Sequence, residues 1–221
     1  MALHSVWKHD RSPGVRRTLC LCLSLMLVAC TSTGSRDNSA LLRHFLLTPT
    51  ATDQPSIRPA LPADFSLEIL QVSIPTYLNR SQIVTRPGPN ELFLSEIHQW
   101  GDTLADNMTR TLATNLAHLL GHDRVFPQSP RLLLPTTYRL ATEVYRFEQD
   151  ADGRVVLDLL WRLFVSHETV PVVERRAHWS SDPLPGTDYP TLVAAMSRLL
   201  GDFSTRAARE IATIRHPRQA D

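Results

Sequence analysis

The chain predicts an α+β domain, a largely antiparallel β-sheet with two amphipathic helices packed on one face. Three observations carry this prediction. Ile97, Trp100, Leu104, Met108, Leu112, Leu116 and Leu119 recur at intervals of three and four, which lines one face of a helix. A second stripe of this kind runs through Leu192, Met196, Leu199, Phe203, Ala207, Ile211 and Ile214. Between the stripes, Tyr138 to Phe147 and Val155 to Val165 flank Gln149-Asp150-Ala151-Asp152-Gly153, a turn composition that closes a long hairpin. A run of strands with two such helices buries its apolar surface as helices laid on a sheet.

Taken in order, Thr31 to Ala40 is short, polar and without periodicity, as a tether is. A first strand is expected at Leu42 to Thr48, ended by Pro49. Residues 49–63 contain Pro49, Pro55, Pro59 and Pro62 and read as loop. Phe65 to Ile74 alternates and then turns continuously apolar, a strand with a change of face or burial on both sides. Gln82 to Thr85 and Leu92 to Leu94 form a small hairpin around Arg86-Pro87-Gly88-Pro89-Asn90. Ser95 opens the first helix and Gly121 stops it. Val155, Leu157, Leu159, Trp161, Leu163 and Val165 share one strand face, with Asp158 and Arg162 on the other. Val172 to Trp179 follows as a third antiparallel strand, presenting Val173, Ala177 and Trp179 on the matching face. The last helix starts near Asp188, with Pro190 tolerated in its first turn, and Pro217 ends it.

The amino terminus carries an address. Arg16-Arg17, an apolar run from Leu19 to Val28 and a small residue at Ala29 make the three-part pattern of a secretory signal. The run is about half the ~20 residues that span a bilayer. Leu27-Val28-Ala29-Cys30 resembles the lipobox of bacterial lipoproteins, which implies cleavage before Cys30 and acylation of that residue. An ordinary secretory signal, or an apolar anchor that stays attached, is the alternative. Thr18-Leu19-Cys20 after the arginine pair suits the general export route better than a twin-arginine one. The organisation expected is a signal peptide over 1–29, a lipidated tether over 30–40, a domain over 41–216 and a tail over 217–221.

Composition narrows the function classes. Of three cysteines, Cys20 and Cys22 fall in the signal and Cys30 takes the lipid, so the exported domain has no disulfide and depends on its hydrophobic core. Beyond residue 29 the chain carries 19 basic and 21 acidic side chains, which gives no reason to expect nucleic acid as a partner. No Gly-x-Ser-x-Gly, His-Glu-x-x-His, Cys-x-x-Cys or phosphate-binding glycine loop occurs. His118 and His122 have a nominal metal spacing with Asp123 beside them, but Gly121 interrupts the helix between them, and a solvated helix end accounts for them better. No metal and no cofactor are expected other than the covalent lipid on Cys30.

Three stretches together resemble the PqiC/YmbA family of lipoproteins that accompany ABC-type transport systems with MCE-domain proteins. They are His44-Phe45-Leu46-Leu47, then Ile74 to Arg86 running on to Asn90-Glu91-Leu92, and Gln99-Trp100-Gly101-Asp102-Thr103-Leu104 leading into Leu112-Ala113-Thr114-Asn115-Leu116. The middle stretch is the specific one. It matches the family's Pro-x-Tyr-Leu-x-Arg-x-x-Ile/Val-Val-x-Arg pattern at Pro75, Tyr77, Leu78, Arg80, Val84 and Arg86. His44-Phe45 departs from the tyrosine-rich pair common there.

The resemblance implies a non-enzymatic lipoprotein on the periplasmic face of the outer membrane of a Gram-negative bacterium. It would meet an MCE-domain partner that moves lipid between the two membranes, and would so contribute to envelope integrity. Thr31 after the acylated cysteine is compatible with outer-membrane sorting. A periplasmic hydrolase of peptidoglycan or lipid, and a purely structural envelope lipoprotein, are the alternatives. Pro75, Tyr77, Leu78, Arg80 and Arg86 form the candidate interaction surface, with homo-oligomer and MCE contacts both open, because an exposed tyrosine, leucine and arginines are enriched at interfaces. The competing reading has Tyr77 and Leu78 plug the edge of the core while Arg80 or Arg86 pairs with a carboxylate or a helix end.

Overall fold

Turn chemistry and alternation place the long hairpin where the sequence puts it, and the rest of the sheet is assembled on it. The computed structural model describes residues 41–129, 134–186 and 188–214. The strands are β1 (Arg43–Phe45), β2 (Leu67–Ile69), β3 (Gln82–Gly88), β4 (Glu91–Trp100), β5 (Val125–Pro127), β6 (Tyr138–Gln149), β7 (Val155–Val165) and β8 (Val173–Ser180). The helices are α1 (Leu104–Leu120) and α2 (Tyr189–Thr213), with a short 3₁₀ turn at Ala51–Asp53. The class is α+β, as expected. The export signal, Cys30, the tether and the segment beyond Pro217 lie outside the described residues.

Among the described residues the strands form one sheet in the order β1-β4-β3-β6-β2-β5, with β7 on the other side of β6 and β8 beyond β7. The long ladders β3–β4, β6–β7 and β7–β8 are antiparallel. Four shorter pairings, β1–β4, β2–β5, β2–β6 and β3–β6, are parallel and were not foreseen. One flank of β6 serves two partners, β2 beside its start (Leu67 opposite Tyr138) and β3 at its end (Thr85 opposite Gln149).

Several boundaries differ from expectation, each for a physical reason. The first helix starts at Leu104 and not at Ser95, because Ser95 to Trp100 completes β4. Ile97 and Trp100 fit a helical spacing, but the Trp100 amide donates to the Ser81 carbonyl at 2.6 Å and so belongs to the hairpin. Helix α1 is then capped by Thr103, whose side chain accepts the Asp106 amide at 3.2 Å. At its other end Gly121 takes the left-handed conformation (φ 61°), the stop expected there. The strand expected over Phe65 to Ile74 shortens to β2, since the Val72 amide leaves the sheet for the Thr109 hydroxyl of α1 at 3.0 Å. Strand β5 was missed, as three residues are too few to show a period. Helix α2 is capped by Asp188 and ends at Thr213, short of Pro217.

The core lies between the sheet and both helices. Trp161 of β7 meets Phe203 of α2 edge to face at 6.2 Å, and Trp161, Phe147, Phe203, Met108, Leu112 and Leu116 are fully buried. Buried polar side chains on the helices fasten the segment after β1 by its backbone. Asn107 accepts the Leu47 amide at 2.6 Å and donates to the Leu47 carbonyl at 3.3 Å. Asn115 accepts the Ala51 amide at 3.1 Å and donates to Ser204 at 3.2 Å. Each buried peptide group thereby keeps a partner where no strand is available.

A single extra residue in β6 decides what the far end of the hairpin presents. Val144 pairs with Leu159 but Arg146 with Asp158, so β6 spends two residues where β7 spends one, a bulge at Tyr145. Before the bulge Leu140, Thr142 and Val144 are buried at alternate positions; after it Phe147 and Gln149 take over that face, opposite Leu157 and Val155. Arg146 and Glu148 are thereby turned to the other face.

Candidate functional site

The segment from Pro75 to Arg86 folds over the end of β6 and is held by Glu148. The Pro75 carbonyl accepts the Leu78 and Asn79 amides at 2.9 and 3.2 Å, a tight turn that aims Tyr77 and Leu78 inward. Leu78 is buried in the core (2% exposed), while Tyr77 is half-buried and Thr76 and Asn79 are exposed. The Tyr77 hydroxyl donates to Glu148 Oε2 at 2.8 Å. Arg86 Nε and Arg146 Nε both donate to Glu148 Oε1, at 2.9 and 3.0 Å. The Phe147 amide donates to Oε2 at 2.9 Å. The Glu148 side chain is fully buried, and four donors satisfy it.

The Arg86 guanidinium also lies over the Tyr77 ring, 5.3 Å from its centroid. Burial, then the hydrogen bond to Glu148, pushes the Tyr77 phenol up to about 12. The hydrogen bond to Glu148 raises Arg86 further above the usual guanidinium value. Such an arrangement fixes a loop to a strand and keeps charge and proton where they are.

Of the residues singled out from sequence, the structure brings Tyr77 and Arg86 together on Glu148, sinks Leu78 into the core and leaves Pro75 half-buried in the turn. Arg80 stands apart. It is half-buried, and its Nε is enclosed without a hydrogen-bond partner. Glu148 and Arg146, the other half of the cluster, were missed. Their role depends on the bulge at Tyr145, which no periodicity announces. Beside the cluster a depression of about 490 Å³ is bounded by Arg86, Arg146, Gly88 and residues 150–152.

The histidines are taken up elsewhere. His118 Nε2 lies 2.8 Å from the Gln54 carbonyl, and His122 Nδ1 accepts the Arg124 amide at 3.2 Å, with its ring edge-on to Phe65. Among the described residues no group of three His, Cys, Asp or Glu side chains is placed to hold a metal ion. No described helix is long and apolar enough to cross a membrane.

A family described as the ABC-type transport auxiliary lipoprotein component matches residues 45–211. None of the curated proteins matches the chain. Among solved structures, protein XCC0632 from Xanthomonas campestris is 21% identical with a TM-score of 0.63, over 76% of this chain and 94% of that one. An uncharacterized protein is also 21% identical, with a TM-score of 0.62 over 77% of this chain and 99% of that one. At this identity the two structures share the fold with this chain.

Proposed function

We propose a role in lipid transport for this chain, which belongs to the family of ABC-type transport auxiliary lipoprotein components. In this reading it is a non-enzymatic lipoprotein of the outer membrane, anchored by Cys30 on the periplasmic face. It serves an ABC-type system whose MCE-domain protein carries lipid between the two membranes, and its loss weakens the envelope. The observation that carries the reading is the family match over residues 45–211, nearly the whole of the domain. The three-part export signal ending in Cys30 supports the anchor, and Thr31 is compatible with outer-membrane retention.

The segment from Pro75 to Arg86 is the contact surface in this proposal. Glu148 holds its inward side through Tyr77 and Arg86, so that the rim of Thr76, Asn79, Arg80 and Ser81 is presented in a fixed shape. A pre-ordered loop loses little conformational freedom on binding. Arg80, half-buried at this rim, offers its guanidinium to the partner protein. The test is capture of the cognate MCE-domain protein by the lipidated chain. The wild type is expected to retain it, and Arg80→Ala to weaken retention by about 2 kcal/mol with an unchanged melting curve. A wild-type chain that captures no MCE-domain protein overturns the transport reading.

A further inference from the structure

We propose that the corner where β1 meets β4 rests on the bilayer, its apolar side chains set into the boundary between headgroups and acyl chains; this rests on the reading of Cys30 as the lipid acceptor. Among the described residues nine large apolar side chains are exposed. Five of them, Leu41 (84%), Leu42 (51%), Leu46 (50%), Phe93 (53%) and Ile97 (36%), belong to β4 or to the chain on either side of β1. Phe93 and Ile97 line one groove, Leu41 and Leu42 lead into the strand that pairs with His98 to Trp100, and Leu46 lies against Gly101 where that pairing ends. The five thus follow one edge of the sheet and are not scattered singly.

The corner is also concave. Phe93, Leu94, Ile97, Pro87, His98 and Tyr189 line an open groove of about 740 Å³. Its shape comes from an irregularity in the hairpin. Gln82 faces Gln99 and Val84 faces Leu94, so β4 uses five steps where β3 uses two. The surplus is turned back by the Ser95 hydroxyl, which accepts the His98 amide at 3.2 Å, and His98 stacks on Tyr189 at 3.8 Å. Arg43 is opposite His98 in the β1–β4 register, so the chain from Cys30 joins the domain at the wall of this groove.

That point of entry selects the occupant. Thr31 to Ala40 is ten residues, whose fully extended length is at most about 35 Å. Whatever way the domain turns, Leu41, where the chain enters beside this corner, stays within about that reach of the lipid to which Cys30 is joined, and the bilayer is the partner at highest effective concentration there. The connecting residues cannot cover the corner themselves, because Thr31 to Ala40 contains no large apolar side chain. Around the corner the basic Arg43 is set against the acidic Glu91, Glu96 and Asp188. The contact is therefore made by apolar side chains and not by basic ones on lipid phosphates, and raising the salt does not release it.

The test uses the mature lipidated chain in phosphatidylcholine vesicles with brominated acyl chains, which quench tryptophan at the headgroup–acyl boundary. Phe93→Trp places a probe on the corner. Val170→Trp places one in the β7–β8 turn, 71% exposed and on the other flank of the sheet from β1. Relative to wild type in the same vesicles, the probe at 93 is expected to lose most of its emission at low and high salt, and the probe at 170 none. Should Phe93→Trp fail to fold, Ile97→Trp takes its place. Protein that floats with the vesicles while the corner probe stays unquenched keeps the anchor and overturns the proposal. An unquenched probe whose emission shifts to the blue with protein concentration assigns the corner to a second copy instead. A chain that does not float overturns the lipid-anchor reading, and the proposal with it.

Discussion

Glu148 concentrates at one residue most of what organises the far end of the hairpin. A carboxylate with no exposure is costly unless all its acceptor positions are used, and here two arginines, a tyrosine and a backbone amide use them. Glu148→Gln keeps the volume but removes the charge that two guanidinium groups share. It is expected to cost about 3 kcal/mol in urea unfolding, the low end for a broken buried pair because Arg86 and Arg146 are partly exposed. Tyr77→Phe removes one hydrogen bond to the same carboxylate and is expected to cost about 1 to 2 kcal/mol. The two changes should fall short of additivity, since they share a partner. The phenol also sets a pH dependence. Its value in the folded chain, about 12, lies above the ordinary 10, so the folded state holds this proton more tightly than the unfolded state. The contribution is complete below pH 10 and is lost as pH rises through about 12. The urea midpoint of wild type should therefore fall over that interval more steeply than that of Tyr77→Phe, with a remainder from Tyr138, whose phenol burial also raises.

At the scale of elements, the helices do two jobs, covering the sheet and fastening the chain that follows β1. Helix α2 approaches that chain through Ser197, Gly201 and Thr205, where Thr50 Oγ1 donates to the Ser197 carbonyl at 3.1 Å and Thr205 donates to the Gln54 side chain at 3.2 Å. A Cβ at Gly201 would overlap Thr50 Oγ1, so Gly201→Ala must displace either the hydroxyl or the helix. It is expected to destabilise by about 1 to 3 kcal/mol despite the better helix propensity of alanine, with calorimetry as the measurement. Thr103→Ala leaves the start of α1 uncapped and is expected to cost about 1 kcal/mol. Acid should weaken α2 at its start as well. The Thr191 hydroxyl and amide hold the Asp188 carboxyl below its ordinary range, so stability present above that range is lost as pH falls through the depressed value. The elements legible in the sequence were those with many residues of one period, β6, β7, β8 and both helices. The helix start was misplaced because Ile97 and Trp100 satisfy a period of three while both belong to β4, Ile97 in its irregular stretch and Trp100 bonded to the Ser81 carbonyl beside the start of β3.

For the whole molecule, the expected anchor makes the sharpest prediction. Cys30→Ser should abolish labelling by radioactive palmitate and leave a soluble chain or an uncleaved precursor, and a variant still labelled and membrane-bound would contradict the lipobox reading. The domain from Leu41 onward contains no cysteine, so its melting temperature should not change with reductant. The sequence by itself determined the α+β class, the long hairpin, the helix stop at Gly121 and the family, because each depends on local order: periodicity, turn residues and a motif read along one stretch. It did not determine that Tyr77, Arg86, Arg146 and Glu148 meet. Tyr77 and Glu148 are 71 positions apart, and a bulge of one residue at Tyr145 decides which face Glu148 occupies. It did not determine the parallel pairings of β1, β2 and β5 either. Strands of three residues carry too little pattern to select a neighbour, and tertiary packing selects it for them.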